Sequence, residues 1–210
     1  MLDPKPVFIF GYSGHSYVII ESLIEAGYSV LGYFDRCEST PNPFNLKYCG
    51  DERLVDVKNI VKDSLVFPCI GDNSIRENII NLFEKNNLNQ FILIHPSSKI
   101  SKSASFGKST YIGKNVIVNA LSIVGKGVIL NSGCIVEHEC VIDDYSHVAP
   151  SSVLCGNVSI GKYAFIGANA VVRQNINITD NVLIGAGSVV VSDIADSGIW
   201  VGTPSKLKLS

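Results

Sequence analysis

Ile112-Gly113-Lys114-Asn115-Val116-Ile117-Val118-Asn119-Ala120-Leu121-Ser122-Ile123-Val124-Gly125-Lys126-Gly127-Val128-Ile129-Leu130 sets a large aliphatic side chain at every sixth position: Ile112, Val118, Val124 and Leu130. Working outward, the same register begins at Ile94, Ile100 and Phe106. It continues through Val136, Ile142, Val148, Leu154, Ile160, Ile166, Val172, Ile178 and Ile184 to Val190. A period of six matches neither the 3.6 residues of a helix turn nor the alternation of a long strand. Sustained over seventeen positions without a slip, it specifies a repeat architecture.

The residue after each apolar position is often Gly, Asn or Asp, as at Gly107, Gly113, Asn119, Gly125, Gly161, Gly167 and Gly185. These residues tolerate left-handed backbone angles, so the sequence predicts a corner at that place in each hexad. Two residues before each apolar position the side chain is small or β-branched, as at Thr110, Val116, Ser122, Cys134, Cys140 and Ala164. On a short strand both sets point to the same side, into a narrow interior. Short strand and corner, repeated three times, close a triangular coil of eighteen residues. Stacked coils bury their apolar residues only against one another, so the ends need covers. The segment before Ile94 and the tail after Asp193 are the candidates.

Composition narrows the rest. A chain of 210 residues holds two modest domains. A net charge of −2 and a pI of about 6.1 leave no basic footprint for nucleic acid or an anionic membrane surface. No apolar run reaches the roughly 18 residues of a membrane span. The N-terminus has no basic region followed by an apolar stretch, so the chain reads as cytoplasmic. Cys37, Cys49, Cys69, Cys134, Cys140 and Cys155 form no CxxC pair. Cys134 and Cys140 fall on the small inward position, which makes them core filler.

Residues 6–94 alternate strand and helix. Val7–Phe10 is an apolar run ending in Gly11-Tyr12-Ser13-Gly14-His15, and a helix follows with Ile19 and Leu23 on one face and Gly27 at its end. Val30–Phe34 is a second strand, ending at Asp35-Arg36. A short helix is predicted near Glu52–Val61. Leu65–Ile70 is a third strand running into Gly71-Asp72-Asn73, a helix covers Ser74–Asn86, and Phe91–Ile94 is a fourth strand. This βαβαβαβ order is an α/β, Rossmann-like arrangement with a small parallel sheet. Its ligands belong beyond the carboxyl ends of the strands, at Gly11–His15 and Gly71–Asn73. Each of these opens a helix whose free N–H groups suit phosphate. The full GxGxxG fingerprint is absent.

The repeat carries one chemical constellation, Val136-Glu137-His138-Glu139-Cys140. His138 sits on an outward corner beside a carboxylate, and Gly156 lies one coil above it. An exposed imidazole next to an acid and a glycine gap is a candidate general base.

The segment 129–142 with Tyr145-Ser146-His147-Val148 resembles the hexapeptide-repeat acyltransferases that N-acetylate nucleotide-linked 4-amino sugars, of the bacillosamine and perosamine type. The sialic acid O-acetyltransferases are relatives. Ile9–His15, Cys69–Arg76 and Val201–Lys206 carry the likeness across nearly the whole chain. It implies a left-handed parallel β-helix for residues 94–195, preceded by a nucleotide-sugar-binding domain at 1–93 and followed by a capping tail at 196–210. It further implies that His138 is the catalytic base and Glu139 the acid that raises its basicity. His147, Gly167, Ala168, Gly185 and Ala186 match positions for acetyl-CoA. Ser13, Gly14, His15, Asp35, Arg36 and Gly71 match the nucleotide-sugar pocket. Arg36 stands where relatives often carry an acid, which touches the choice of base or sugar.

The implied reaction is transfer of acetyl from acetyl-CoA to the amine of a nucleotide-linked 4-amino-4,6-dideoxy sugar, for bacterial surface glycans. The assembly would be a homotrimer with sites between subunits, Asn157 a possible helper, and no metal required. A sugar O-acetyltransferase is the nearest alternative. A non-enzymatic scaffold and a zinc carbonic anhydrase on the same prism are more remote. The latter needs three imidazoles on one metal. His138 and His147 could supply two, but His95 lies roughly 11 Å along the axis from His138.

Overall fold

The computed structural model describes residues 5–208. Four parallel strands, β1 (Lys5–Phe10), β2 (Tyr28–Phe34), β3 (Leu65–Pro68) and β4 (Asn89–Gln90), form a sheet in the order β2-β1-β3-β4. Helix α1 (Gly14–Glu25) links β1 to β2, α2 (Val57–Val61) precedes β3, and α3 (Asn73–Lys85) links β3 to β4. Along β1, Val7 and Ile9 pack on the α1 side, whereas Phe8 and Phe10 pack against α2 and α3. That alternation is the period of a strand buried on both faces. The strand order reverses between β1 and β3, so their carboxyl ends frame the ligand crevice of an open sheet.

The fourth strand corrects the sequence reading. The polar pair Asn89–Gln90 continues the sheet, opposite Leu65 and Val66. Leu93–Ile94 instead pairs with Tyr111–Ile112 in the repeat. The apolar run misleads because Phe91 and the fully buried Leu93 fill the junction between the two domains.

Beyond the junction the chain winds as the left-handed parallel β-helix. Ile123 pairs with Val141, Ile129 with His147 and Ile135 with Val153, so each coil is eighteen residues. The strands form three faces. The first runs from Leu93–Ile94 to Val182–Ile184, the second from Lys99–Ile100 to Val189–Val190, and the third from Ser105–Phe106 to Asn177–Ile178. From Ile112 to Val190 every sixth residue is buried, together with the small residues between them, Cys134 and Cys140 included.

The corners differ from expectation. The left-handed residue lies three places after the apolar one, at Asn115, Leu121, Glu139 (φ 60°), Tyr145 (φ 62°), Asn157 and Tyr163 among others. The glycine directly after the apolar residue answers a steric demand. A Cβ on Gly107 would stand 2.5 Å from the Lys126 backbone nitrogen of the next coil, and one on Gly167 2.6 Å from that of Ala186. Small residues there let successive corners nest.

The covers also differ. Ile94, the first residue of the register, is 40% exposed, because no coil lies beneath it and the N-terminal domain leans on the first face instead of crossing the end. Leu93, Tyr111 and Ile129, which point outward from that face, share one core with α1. At the other end Gly198–Val201 extends the first face parallel to Val182–Ile184, and Lys206–Leu207 folds back antiparallel. Ile194 and Trp200 pack onto the last coil. Among the described residues no helix is long and apolar enough to cross a membrane.

Candidate active site

His138 and Glu139 stand on the corner between the second and third faces, 57% and 58% exposed, with Nδ1 3.0 Å from Glu139 Oε2. Glu139 occupies the left-handed position, which turns its side chain back along the imidazole. A carboxylate accepting from Nδ1–H leaves Nε2 as the free lone pair. Gly156 does more than leave a gap: the ring lies against it, and a Cβ there would fall 2.5 Å from both Cε1 and Nε2. Asn157, one coil above Glu139, sends its amide upward to Asn175 Oδ1 at 2.9 Å, away from the imidazole.

The N-terminal residues that the resemblance assigns to a nucleotide-sugar pocket gather at the other side of the prism. Ser13 caps α1 with its hydroxyl uncommitted, and nothing lies within 4 Å of a Cβ built on Gly14, so this turn is open. The Asp35 carboxylate accepts from the backbone N–H groups of Tyr12 (2.8 Å) and Arg36 (2.7 Å), stapling the β1 loop to the end of β2. Arg36 is exposed beside it. The His15 ring packs near Tyr111 and His147, each 6.1 Å between centroids, and Gly71 closes against it.

His147 points outward from the first face but is only 7% exposed, beneath the N-terminal domain. Asn131 Oδ1 already accepts from Ser132 N–H, so its amide donates to His147 Nε2 at 3.2 Å. The proton of His147 therefore resides on Nδ1, which faces the Gly71 backbone without a well-formed hydrogen bond. Burial, reinforced by the nearby Arg76 charge, lowers His15 to about 4 and His147 to about 3. Both are neutral at neutral pH.

One chain therefore brings Ser13, Gly14, His15, Asp35, Gly71 and His147 together but keeps His138 apart. The N-terminal domain rests on the first face, and His138 occupies the corner opposite that face. Six residues per side, at about 3.3 Å each less the turn at each corner, put roughly 15 Å of packed prism between them. The histidines of a zinc reading are also scattered: His95 is buried against Glu25 and Ser97, far from the corner of His138. No group of three or more His, Cys, Asp or Glu among the described residues is placed to hold a metal.

Gly167, Ala168, Gly185 and Ala186 lie on the corner between the first and second faces, Ala168 and Ala186 stacked one coil apart. Their alanine N–H groups donate to nothing among the described residues. A cleft of about 590 Å³ runs between α3 and the late coils, lined by Gly71, Asp72, Glu77, Tyr163, Phe165 and Leu183.

Sequence reasoning missed several of these residues. Tyr145 and Tyr163, stacked 5.6 Å apart, dock α3 through Glu77, and nothing in the hexad pattern singles them out. Asn131 was legible only as a corner residue, although its distance of sixteen from His147 puts it on the neighbouring coil.

Residues 6–83 match the family described as the PglD N-terminal domain, and residues 88–193 the GMPPB C-terminal domain. A mutant of perosamine N-acetyltransferase from Caulobacter crescentus, solved in complex with CoA and GDP-perosamine, is 32% identical; the alignment covers 98% of each chain with a TM-score of 0.92. The acetyltransferase domain of PglB from Neisseria gonorrhoeae, in complex with acetyl coenzyme A, is 28% identical over 98% of this chain and 100% of that one, with a TM-score of 0.90. WeeI from Acinetobacter baumannii, 20% identical over 96% of this chain and 99% of its own with a TM-score of 0.80, shares the fold. No curated protein sequence matches the chain.

Proposed function

The chain belongs to the hexapeptide-repeat nucleotide-amino-sugar N-acetyltransferases, and on that premise we propose that it moves the acetyl group of acetyl-CoA onto the amine of a nucleotide-linked 4-amino-4,6-dideoxy sugar. The product would serve glycan biosynthesis in the cytoplasm. One observation carries the reading: an oriented imidazole, open to solvent, in a chain of which 98% superposes on such an enzyme.

The neutral amine attacks the thioester carbonyl while His138 Nε2 takes its proton, directly or through a water. Glu139 holds the ring and stabilises the imidazolium. Gly156, against whose Cα the imidazole packs, has a backbone N–H that donates to nothing among the described residues, so it is free to meet the developing oxyanion. Collapse forms the amide and breaks the C–S bond, and the departing thiolate recovers the proton from His138. The free N–H groups of Ala168 and Ala186 suit the amide carbonyls of the pantetheine arm, and His147 on the adjoining face is read as a further acetyl-CoA contact. Ser13, Gly14, His15 and Gly71 receive the nucleotide sugar between two helix N-termini, with Asp35 bracing the loop and Arg36 at its rim.

The pocket and the base lie on opposite sides of one prism, so the reading requires a second copy. Above Lys99, the second face presents Ile117, Ile135, Val153, Val171 and Val189 outward, all half-buried and apolar. This face lies between the His138 corner and the Ala168–Ala186 corner. A homotrimer closed around it would carry the base of one copy to the acetyl-CoA corner and pocket of its neighbour.

Acetyl-CoA and a set of UDP-, dTDP- and GDP-linked 4-amino sugars, each paired with its 4-hydroxy counterpart, test the reaction. Thiol release with one amino sugar, giving an amide by mass spectrometry, is the expected result. Release only with hydroxy sugars, giving an ester, would reverse the assignment.

A further inference from the structure

Arg76, near the start of α3, is the largest fully buried side chain among the described residues, at 1% exposure. No carboxylate pairs with it among the described residues, since the neighbouring Asp72 is engaged by Ser74 and Ile75 as the cap of α3. All five of its N–H groups end on neutral protein acceptors. Nε donates to the Gly127 carbonyl at 2.6 Å. Nη2 donates to the Tyr145 carbonyl at 2.7 Å and to Asn73 Oδ1 at 2.8 Å. Nη1 reaches the Gly71 carbonyl at 3.0 Å and that of Ile70 at 3.2 Å.

Stability alone is a poor reason for this arrangement. An isolated buried cation is costly, and well-packed apolar residues commonly replace buried ionic groups without loss. Burial lowers its pKa to about 9, which leaves it charged at neutral pH. What the rigid guanidinium fork supplies is geometry, because its donors leave in fixed directions. Three go to the Ile70–Asn73 loop, and two to corners on consecutive coils, Gly127 and Tyr145. His147 follows two residues after Tyr145. The fork thus holds the Gly71 loop in one relation to His147 across the domain junction.

We propose that Arg76 is a positioning residue for the nucleotide sugar: it fixes the Gly71 loop against the coil that carries His147 and touches no substrate itself. With every N–H committed, it has none left for a phosphate. The inference rests on the reading of the Gly71 loop as part of the nucleotide-sugar pocket. It assigns Arg76 no part in the CoA corner at Ala168 and Ala186, which lies across the first face from Gly127 and Tyr145.

Calorimetric titration of the full-length protein with GDP, UDP and dTDP, and separately with CoA, tests this without relying on turnover. Arg76→Lys keeps the charge but loses the fork. It is expected to weaken the best-bound nucleotide by at least about tenfold while CoA affinity stays within about twofold. Asn73→Ala removes one acceptor at a half-buried site whose side chain is already committed to Arg76 and Tyr163, and should weaken the same nucleotide by about three- to tenfold. It serves if Arg76→Lys does not fold. Nucleotide affinity unchanged in the folded variants, or nucleotide and CoA affinity falling in parallel, would overturn the inference. A wild-type protein that binds none of the three nucleotides overturns the pocket assignment itself, and the inference with it.

Discussion

His138→Ala is expected to lower kcat by about 10²–10⁴-fold, the range for removing a positioned general base. The Kd for CoA and the thermal unfolding midpoint should both hold. The imidazole is more than half exposed and its one polar partner, Glu139, is equally exposed, so the fold loses almost nothing when the ring goes. Stopped assays of thiol release, alongside calorimetry and thermal melts, separate the two effects. A variant that melts early, or loses CoA binding in step with rate, would mean the residue serves structure. Retention of most activity would remove His138 from the chemistry.

Gly156→Ala should be nearly as damaging, although it changes no catalytic group. Its backbone is outside the left-handed region, so alanine meets no conformational penalty there. The added methyl, however, would stand 2.5 Å from Cε1 and Nε2 of His138. An exposed ring yields by swinging away, at little cost to stability. The reacting nitrogen then leaves its place, and a displacement of about 1 Å in a near-attack arrangement costs on the order of 10²-fold. The double variant with His138→Ala should be no slower than His138→Ala alone, because both lesions act through one ring. If the two losses multiply instead, Gly156 acts independently of the imidazole.

The coil was legible because it is periodic. A core position recurring every six residues fixes the eighteen-residue pairing, and the strand pairs Ile123–Val141 and Ile135–Val153 follow from it. The conformation of the corners was not. Leu121, Tyr145 and Tyr163 adopt positive φ where composition favours Gly or Asn, held by N–H bonds to the preceding coil at Ser103 Oγ, Lys126 O and Asp144 O and, for the two tyrosines, by stacking. The glycine two places earlier reads in the sequence as the left-handed corner residue and proves to be a clearance for the next coil. The docking of the two domains left no periodic trace. Tyr111, Ile129 and His147 occupy the outward strand position, where sequence suggests solvent, yet the N-terminal domain buries them. Arg76 reads as an ordinary helical cation until its five partners are in view. In the N-terminal domain the alternation of strands and helices and the loops at Gly11 and Gly71 were readable, but the sheet order was not, and an apolar junction passed for the fourth strand.

Subunit complementation tests directly whether His138 serves the pocket of a neighbouring copy. Two variants are needed, each inactive alone: His138→Ala, which lacks the base, and Gly71→Trp, which fills the space beside His15. The Gly71 backbone accepts a side chain, since its Cβ would approach only His15, at 3.9 Å. Co-expressed with different tags and purified as mixed trimers carrying both, they should recover about a third of wild-type activity. Either mixed trimer has three neighbouring pairs, and one of them joins an intact base to an intact pocket. Mixed oligomers as inactive as either parent would show that base and pocket act within one chain, and the shared site would be wrong.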